Sequence, residues 1–183
     1  MAVKVDAKRV ARYVRAYARA VEGCTAADIE RAAQWYGDAH SVALELCRIR
    51  PEWDVEHASA VIAAFSPRCR WATNVQHATE FASGIRPRAL GNNVRMADAA
   101  TRVGFDALRG AKTNAFARNI AGDVDAVTID VWMMRAAGLE TDSPNLTQYA
   151  ELSIAVARVA KRMRIENSTA QALIWIRFRG SAD

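Results

Sequence analysis

Lys112 and Asp130 are the two residues of this chain whose types and surroundings point most directly to chemistry. Lys112 follows a glycine turn in Arg109-Gly110-Ala111-Lys112-Thr113. Asp130 stands inside an apolar run, after Val127-Thr128-Ile129 and before Val131-Trp132-Met133-Met134. A carboxylate among such neighbours is costly to bury unless it is hydrogen-bonded or put to use. A helix N-terminus supplies such hydrogen bonds from its unpaired N–H groups, so a plain capping role stands beside a catalytic one. From Lys112 to Asp130 is 18 positions. That is room for one helix of about three turns and a short return loop, which lets both side chains reach one cleft.

The segment around Lys112 has a second use. A helix, a tight turn containing glycine and a second helix can grip a phosphate backbone. The N–H groups opening the second helix point outward, and the helix dipole favours an anion there. Gly110 keeps the backbone uncovered, Lys112 adds a cation and Thr113 a hydroxyl. An ordinary helical hairpin has the same outline.

Elements of one kind must position these residues, because nearly every segment has helical periodicity. Val10, Tyr13, Val14, Tyr17 and Val21 share one helical face, and Lys8, Arg12, Arg15 and Arg19 share another with few acids to balance them. That basic stripe reads as a solvated face or as a surface that tracks phosphates. Gly23 ends the first helix, and Thr25 with Asp28 opens one that runs to about Arg50, with a bend allowed at Gly37, before Pro51. Further helices are expected at about 55–65, 69–82, from Asn92-Asn93 to near Gly104, from Lys112 to near Gly122, and at about 128–137. Asn145 caps a long helix to about Arg164, and Asn167-Ser168 caps the last. Residues 174–179 also alternate as a strand would, but no partner strand is visible, so a helix is preferred. The fold class is all-α.

Bulk composition narrows the function classes. The chain has 183 residues, 51% of them hydrophobic, which suits one domain with a real core, or one domain of two lobes. No apolar run reaches the ~18 residues of a membrane span, and the N-terminus lacks a secretory core, so a cytoplasmic protein is expected. Cys24, Cys47 and Cys69 are odd in number and contain no C-x-x-C pair, which argues against a disulfide scaffold and a cysteine metal site. His40, His57 and His77 form no H-x-x-x-H pair, and no phosphate-cradling glycine motif of a nucleotide site occurs. Trp132-Met133-Met134 reads as core. The formal net charge of +5 suits a polyanionic partner.

Two segments resemble the helix-hairpin-helix DNA glycosylase superfamily, which includes endonuclease III. Gly110-Ala111-Lys112-Thr113 looks like the G-x-K-T that closes its hairpin, and Ile129-Asp130-Val131-Trp132 looks like its V-D-T-H segment with the catalytic aspartate. The 18-position spacing is similar to that of the lysine-bearing branch. Upstream, residues 62–74 are similar to a helix ending in L-S-x-Q, with Arg68 where the glutamine would stand. Residues 89–100, with Asn92 and Asn93, are similar to the helix leading to the hairpin. The likeness covers about residues 58–138. It departs at Leu108 and Ala107, which replace a glycine and a proline of the hairpin, and at Trp132, which replaces the histidine.

A likeness to smaller phage-type relatives rests on S-P-x-x-x-W-x-x-N (Ser66, Pro67, Trp71, Asn74), K-T-x-x-F-x-x-N (Lys112, Thr113, Phe116, Asn119) and Q-A-x-x-W (Gln171, Ala172, Trp175). The resemblances imply one two-lobed glycosylase-like domain over 1–183. One lobe takes about 58–128 with the hairpin at 104–121, and the other takes 1–57 and 129–183. They imply double-stranded DNA as partner, with Arg68, Arg109, Gly110, Ala111, Thr113, Asn92 and Asn93 as its contacts. Arg68, with Trp71 behind it, would hold the gap left by a base taken out of the stack. They imply no iron–sulfur cluster and leave room for a structural monovalent cation at the hairpin. Asp130 would stabilise charge on the deoxyribose, and Lys112 would act as a Schiff-base nucleophile or as a phosphate contact. In a bacterial or phage-infected cell the alternative is a transferase, in which Asp130 deprotonates an amine that replaces an activated group on hydroxymethyl-uracil. A non-catalytic DNA-binding module is the alternative of another class.

Overall fold

A computed structural model of the chain describes residues 3–141 and 143–180, and among them every regular element is helical. Helix α1 (Ala7–Ala20) starts because the Asp6 carboxylate accepts the N–H groups of Lys8 and Arg9. Helix α2 (Ala26–Ile49) opens on a reciprocal cap. Thr25 N–H donates to Asp28 Oδ2 at 2.8 Å, and Asp28 N–H donates to Thr25 Oγ1 at 3.2 Å. It passes Gly37 without interruption and ends ahead of Pro51. Helix α3 (Val55–Phe65) is capped by Asp54, and every residue from Ala58 to Phe65 is buried. Helices α4 (Trp71–Ala82) and α5 (Gly91–Val103) follow, then a one-turn 3₁₀ helix (Gly104–Ala107) and α6 (Ala111–Ala121). The chain closes with α7 (Val131–Ala136), α8 (Leu146–Met163) and α9 (Asn167–Arg179).

Several boundaries differ from those the sequence suggests. Helix α4 starts at Trp71, two residues late, because Cys69 N–H turns back to the Ser66 carbonyl. Helix α5 starts at Gly91, ahead of the two asparagines. Helix α7 starts at Val131 rather than Thr128, because Asp130 is extended and caps it. Glu166, not Asn167, precedes α9, and Asn167 lies inside the helix. The alternating segment at 174–179 is helical, as preferred. Asn145 and Gln148 form the capping box that opens α8.

The helices form two compact units. One takes the chain up to Trp35 and again from Val124, and the other takes Tyr36–Asp123. The first division thus falls inside α2 rather than near 57, and the second at 123 rather than 128. The later part of α2 is held within its unit by His40, whose Nδ1 lies 2.8 Å from the Ile120 carbonyl. Arg50, just past α2, donates to the Ala82 carbonyl in the same unit.

In the Tyr36–Asp123 unit, α3 is the hub, packing against α4, α5, α6 and the 3₁₀ turn. A helix apolar on every side suits that place, and Ala58, Ala60, Ala63 and Ala64 let the others approach closely. In the other unit, α1 lays Val10, Tyr13, Val14 and Tyr17 against α7, α8 and α9. Burying each such large side chain stabilises by about 1.5–3 kcal/mol. Arg9 fixes that packing, donating through Nε and Nη2 to the fully buried Glu151 carboxylate at 2.8–3.2 Å. Asp6 N–H donates to the same carboxylate. No helix among the described residues is long and apolar enough to cross a membrane.

Candidate functional site

Lys112 belongs to the Tyr36–Asp123 unit. It lies in the first turn of α6, four residues before Phe116, so both side chains share one helix face. Its Nζ stands 5.3 Å from the centre of the Phe116 ring and donates to Ser66 Oγ at 3.3 Å. Ser66 closes α3 and donates in turn to the Ala63 carbonyl. Trp71, first in α4, meets the Phe116 ring edge-on at 6.4 Å. The serine and tryptophan of one sequence motif therefore touch the lysine and phenylalanine of the other.

The turn ahead of Lys112 is built by side chains. Gly110 is extended (φ −80°), a conformation open to any residue, so glycine is not there for its backbone freedom. A Cβ at that position would meet Thr113 Oγ1 at 3.0 Å, and Thr113 already donates to the Gly110 carbonyl. Gly110 caps α6 with no side-chain hydrogen bond, and Ala111 is its first residue. Asn114 donates to the carbonyls of Phe105 and Leu108, bracing the 3₁₀ turn, and accepts from Arg118 Nε at 2.9 Å. At the start of that turn Gly104 is left-handed (φ 53°), a conformation that does require glycine. A Cβ there would collide with the Glu56 carboxylate, whose Oε1 accepts the Phe105 N–H.

The other expected contacts fall around the same unit. Arg68 and Arg109 are exposed. Arg68 holds a left-handed backbone (φ 58°), unusual for a residue with a Cβ and of order 1–3 kcal/mol in strain. Asn92 is exposed, whereas Asn93 is buried and its Nδ2 donates to the Pro67 carbonyl at 3.4 Å. Asn93 thus steadies the Ser66-Pro67 turn from beneath. Asn74 is also buried, and its Oδ1 meets no hydrogen-bond donor among the described residues.

Asp130 belongs to the other unit, where Trp132, Met133 and Trp175 hold its carboxylate. Oδ1 accepts the N–H groups of Trp132 and Met133, both at 2.9 Å. Oδ2 accepts the indole N–H of Trp175 at 2.9 Å. The capping role is therefore real, and a second element joins it. Tyr149 fixes the approach to Asp130, donating to the Val127 carbonyl at 2.8 Å and accepting the Ile129 N–H at 3.3 Å. Burial pushes the Tyr149 phenol up to about 12, with the Asp130 charge adding to it. Tyr17 donates to the Met133 carbonyl, and its phenol is also raised, chiefly by burial. Met133 and Met134 are core. Around the carboxylate, Trp175 lies 6.1 Å from Trp35 with Arg179 over its ring at 4.7 Å, and Arg135 lies over Trp132 at 5.0 Å.

Asn114, Glu56 and Tyr149 escape a reading of sequence alone, and Gly104 is legible there only as a helix end. An asparagine inside a helix is the one faint signal among them, since it competes for backbone carbonyls. The three cysteines are free thiols. Among the described residues, no group of three or more His, Cys, Asp or Glu is placed to hold a metal.

No curated protein and no solved structure matches the chain. A family model does match it, over residues 1–182, and the chain belongs to that family of unknown function, DUF7178.

Proposed function

We propose that this protein acts on a base in double-stranded DNA, in the manner of the helix-hairpin-helix glycosylases it resembles. The observation that carries the reading is the bond from Trp175 to Asp130 Oδ2, at 2.9 Å. Asp130 comes from the segment similar to V-D-T-H, and Trp175 from the late Q-A-x-x-W, 45 positions away. A cap needs only the backbone N–H groups. The indole adds a fixed direction to the second oxygen, as a positioned carboxylate requires.

In this reading the target nucleotide leaves the stack, at a few kcal/mol. Arg68 holds the gap. The cationic partners of the DNA backbone are Lys112 and Arg109, with Gly110, Ala111 and Thr113 at the opening of α6. As the glycosidic bond stretches, the Asp130 carboxylate faces the positive charge that develops on deoxyribose. Lys112 acts as an anion contact rather than as the nucleophile. Its Nζ lies over the Phe116 ring face and donates to Ser66 Oγ, contacts that suit a cation meeting phosphate.

The pairing of Ser66 with Lys112 and Trp71 with Phe116 favours a second reading, because those residues carry the phage-type likeness. There the protein is a transferase on thymine-derived bases. Asp130 takes a proton from an incoming amine, the amine nitrogen bonds to the base's methylene carbon, and pyrophosphate leaves as the displaced anion, the class of group an ammonium such as Lys112 binds.

Asp130→Asn tests both against a non-catalytic module. Turnover should disappear while duplex affinity stays within about threefold. Equal turnover in the variant, or a wild type that binds duplex and never alters a base, overturns the enzyme readings.

A further inference from the structure

We propose that the outer face of α1 is a second surface for duplex DNA, a ridge that follows phosphates with Lys8, Arg12, Arg15 and Arg19. The inference rests on the DNA partner proposed above and adds a site outside the hairpin and Asp130.

The geometry starts from the helix repeat. At about 100° per residue, the four cations fall within an arc of about 60°. The buried residues Val10, Tyr13, Val14 and Tyr17 fall on the opposite side of α1. All four cations are exposed. From Lys8 to Arg19 the axial rise is about 16 Å, alongside about five phosphates of one strand at roughly 3.4 Å each.

The charges are also uncompensated. Helix α1 has no acid in its first turn, and the two acids bonded at its start, Asp6 and Glu151, are taken up by Arg9 and the cap. Among the described residues, none of the four makes an ion pair. Other helices of this chain do pair their surface arginines, as in Arg31–Asp28, Arg48–Glu45 and Arg102–Asp98. On α1 the neighbours at three and four positions are like charges, which repel one another. A polyanion turns that repulsion into attraction. Without these four, the formal charge of +5 would fall to +1.

The ridge is also held still. Arg9 and Asp6 fasten α1 to Glu151 on α8, and Tyr17 fastens it to the Met133 carbonyl of α7, the helix that Asp130 caps. A preorganised row loses little side-chain and backbone freedom on binding beyond the arginine tips.

The test is fluorescence anisotropy on a labelled 20-base-pair duplex from about 50 to 300 mM NaCl. The variant Lys8→Gln/Arg12→Gln/Arg15→Gln/Arg19→Gln is set against wild type and against Arg68→Gln/Arg109→Gln. Far-UV circular dichroism checks that the helices remain. Four phosphate contacts correspond to a slope of about −3.6 in log K against log salt, so the ridge variant should lose about 2–4 of the wild-type slope. Its affinity near 100 mM should drop by about tenfold or more. A ridge variant with wild-type slope, while Arg68→Gln/Arg109→Gln weakens binding, overturns the ridge and leaves the DNA reading standing. Wild type that binds no duplex at any salt overturns both. Loss of binding only to vesicles containing phosphatidylserine, with duplex affinity unchanged, also overturns it and marks a membrane surface.

Discussion

Replacing Asp130 by Asn and Trp175 by Phe, singly and together, measures how the candidate carboxylate is held. In Asp130→Asn the new amide keeps its oxygen on the Trp132 and Met133 N–H groups, since turning it would set two backbone donors against an NH₂. The NH₂ then faces the Trp175 indole N–H, donor against donor. Leaving that half-buried donor without an acceptor costs about 1–3 kcal/mol. Losing the charge at the start of α7 adds about 0.3–1 kcal/mol. Trp175→Phe forfeits the hydrogen bond and part of the contact with Trp35, about 1–2 kcal/mol together. In the double variant no indole remains to be orphaned, so its cost should fall short of the sum by about 1–2 kcal/mol. Urea unfolding followed by far-UV circular dichroism reads all four proteins without relying on tryptophan emission. Additivity within about 0.5 kcal/mol would show that the indole and the carboxylate do not act as one unit.

Three further outcomes follow from the geometry. Gly104→Ala should destabilise by about 1–3 kcal/mol, from a left-handed backbone with a Cβ and a displaced Glu56; a change under about 0.5 kcal/mol in urea unfolding would contradict this. Hydrogen bonds from Arg9 hold the Glu151 carboxyl below its ordinary 4.5, with burial opposing. That contribution is full above the ordinary value and is lost as pH falls through the lower folded one, so Glu151→Gln should flatten the acid side of the stability profile; an unchanged slope below pH 4.5 refutes it. Borohydride should trap no covalent adduct between wild type and DNA; an adduct that disappears in Lys112→Ala would restore the nucleophile role.

Much of the helical plan was legible because its signals are local. Asn145, and Thr25 with Asp28, are caps that act within three residues, and the buried face of α1 repeats with the helix. Boundaries failed where the deciding partner is distant. The stretch before Asp130 reads as helix by its apolar content, yet Tyr149 takes the backbone groups at Val127 and Ile129 that a helix would need. The division inside α2 was marked in sequence only by the bend allowed at Gly37, and the helix runs on through it. Lys112 was visible by its place after a glycine turn, and Asp130 as a carboxylate inside an apolar run. Trp175 was visible only as a motif, and its place against Asp130 depends on the packing of α7 on α9. Gly110 invited a reading by close approach of its bare backbone to a phosphate, whereas a glycine that its φ requires is Gly104, six residues earlier.

The measurement that bears most directly on the central claim is mass spectrometry of the bases and nucleosides from host and phage DNA treated with the protein. Wild type should release a base or change a thymine-derived nucleoside, and Asp130→Asn, still bound to duplex, should do neither. Identical nucleoside profiles with wild type, variant and no protein would contradict the account.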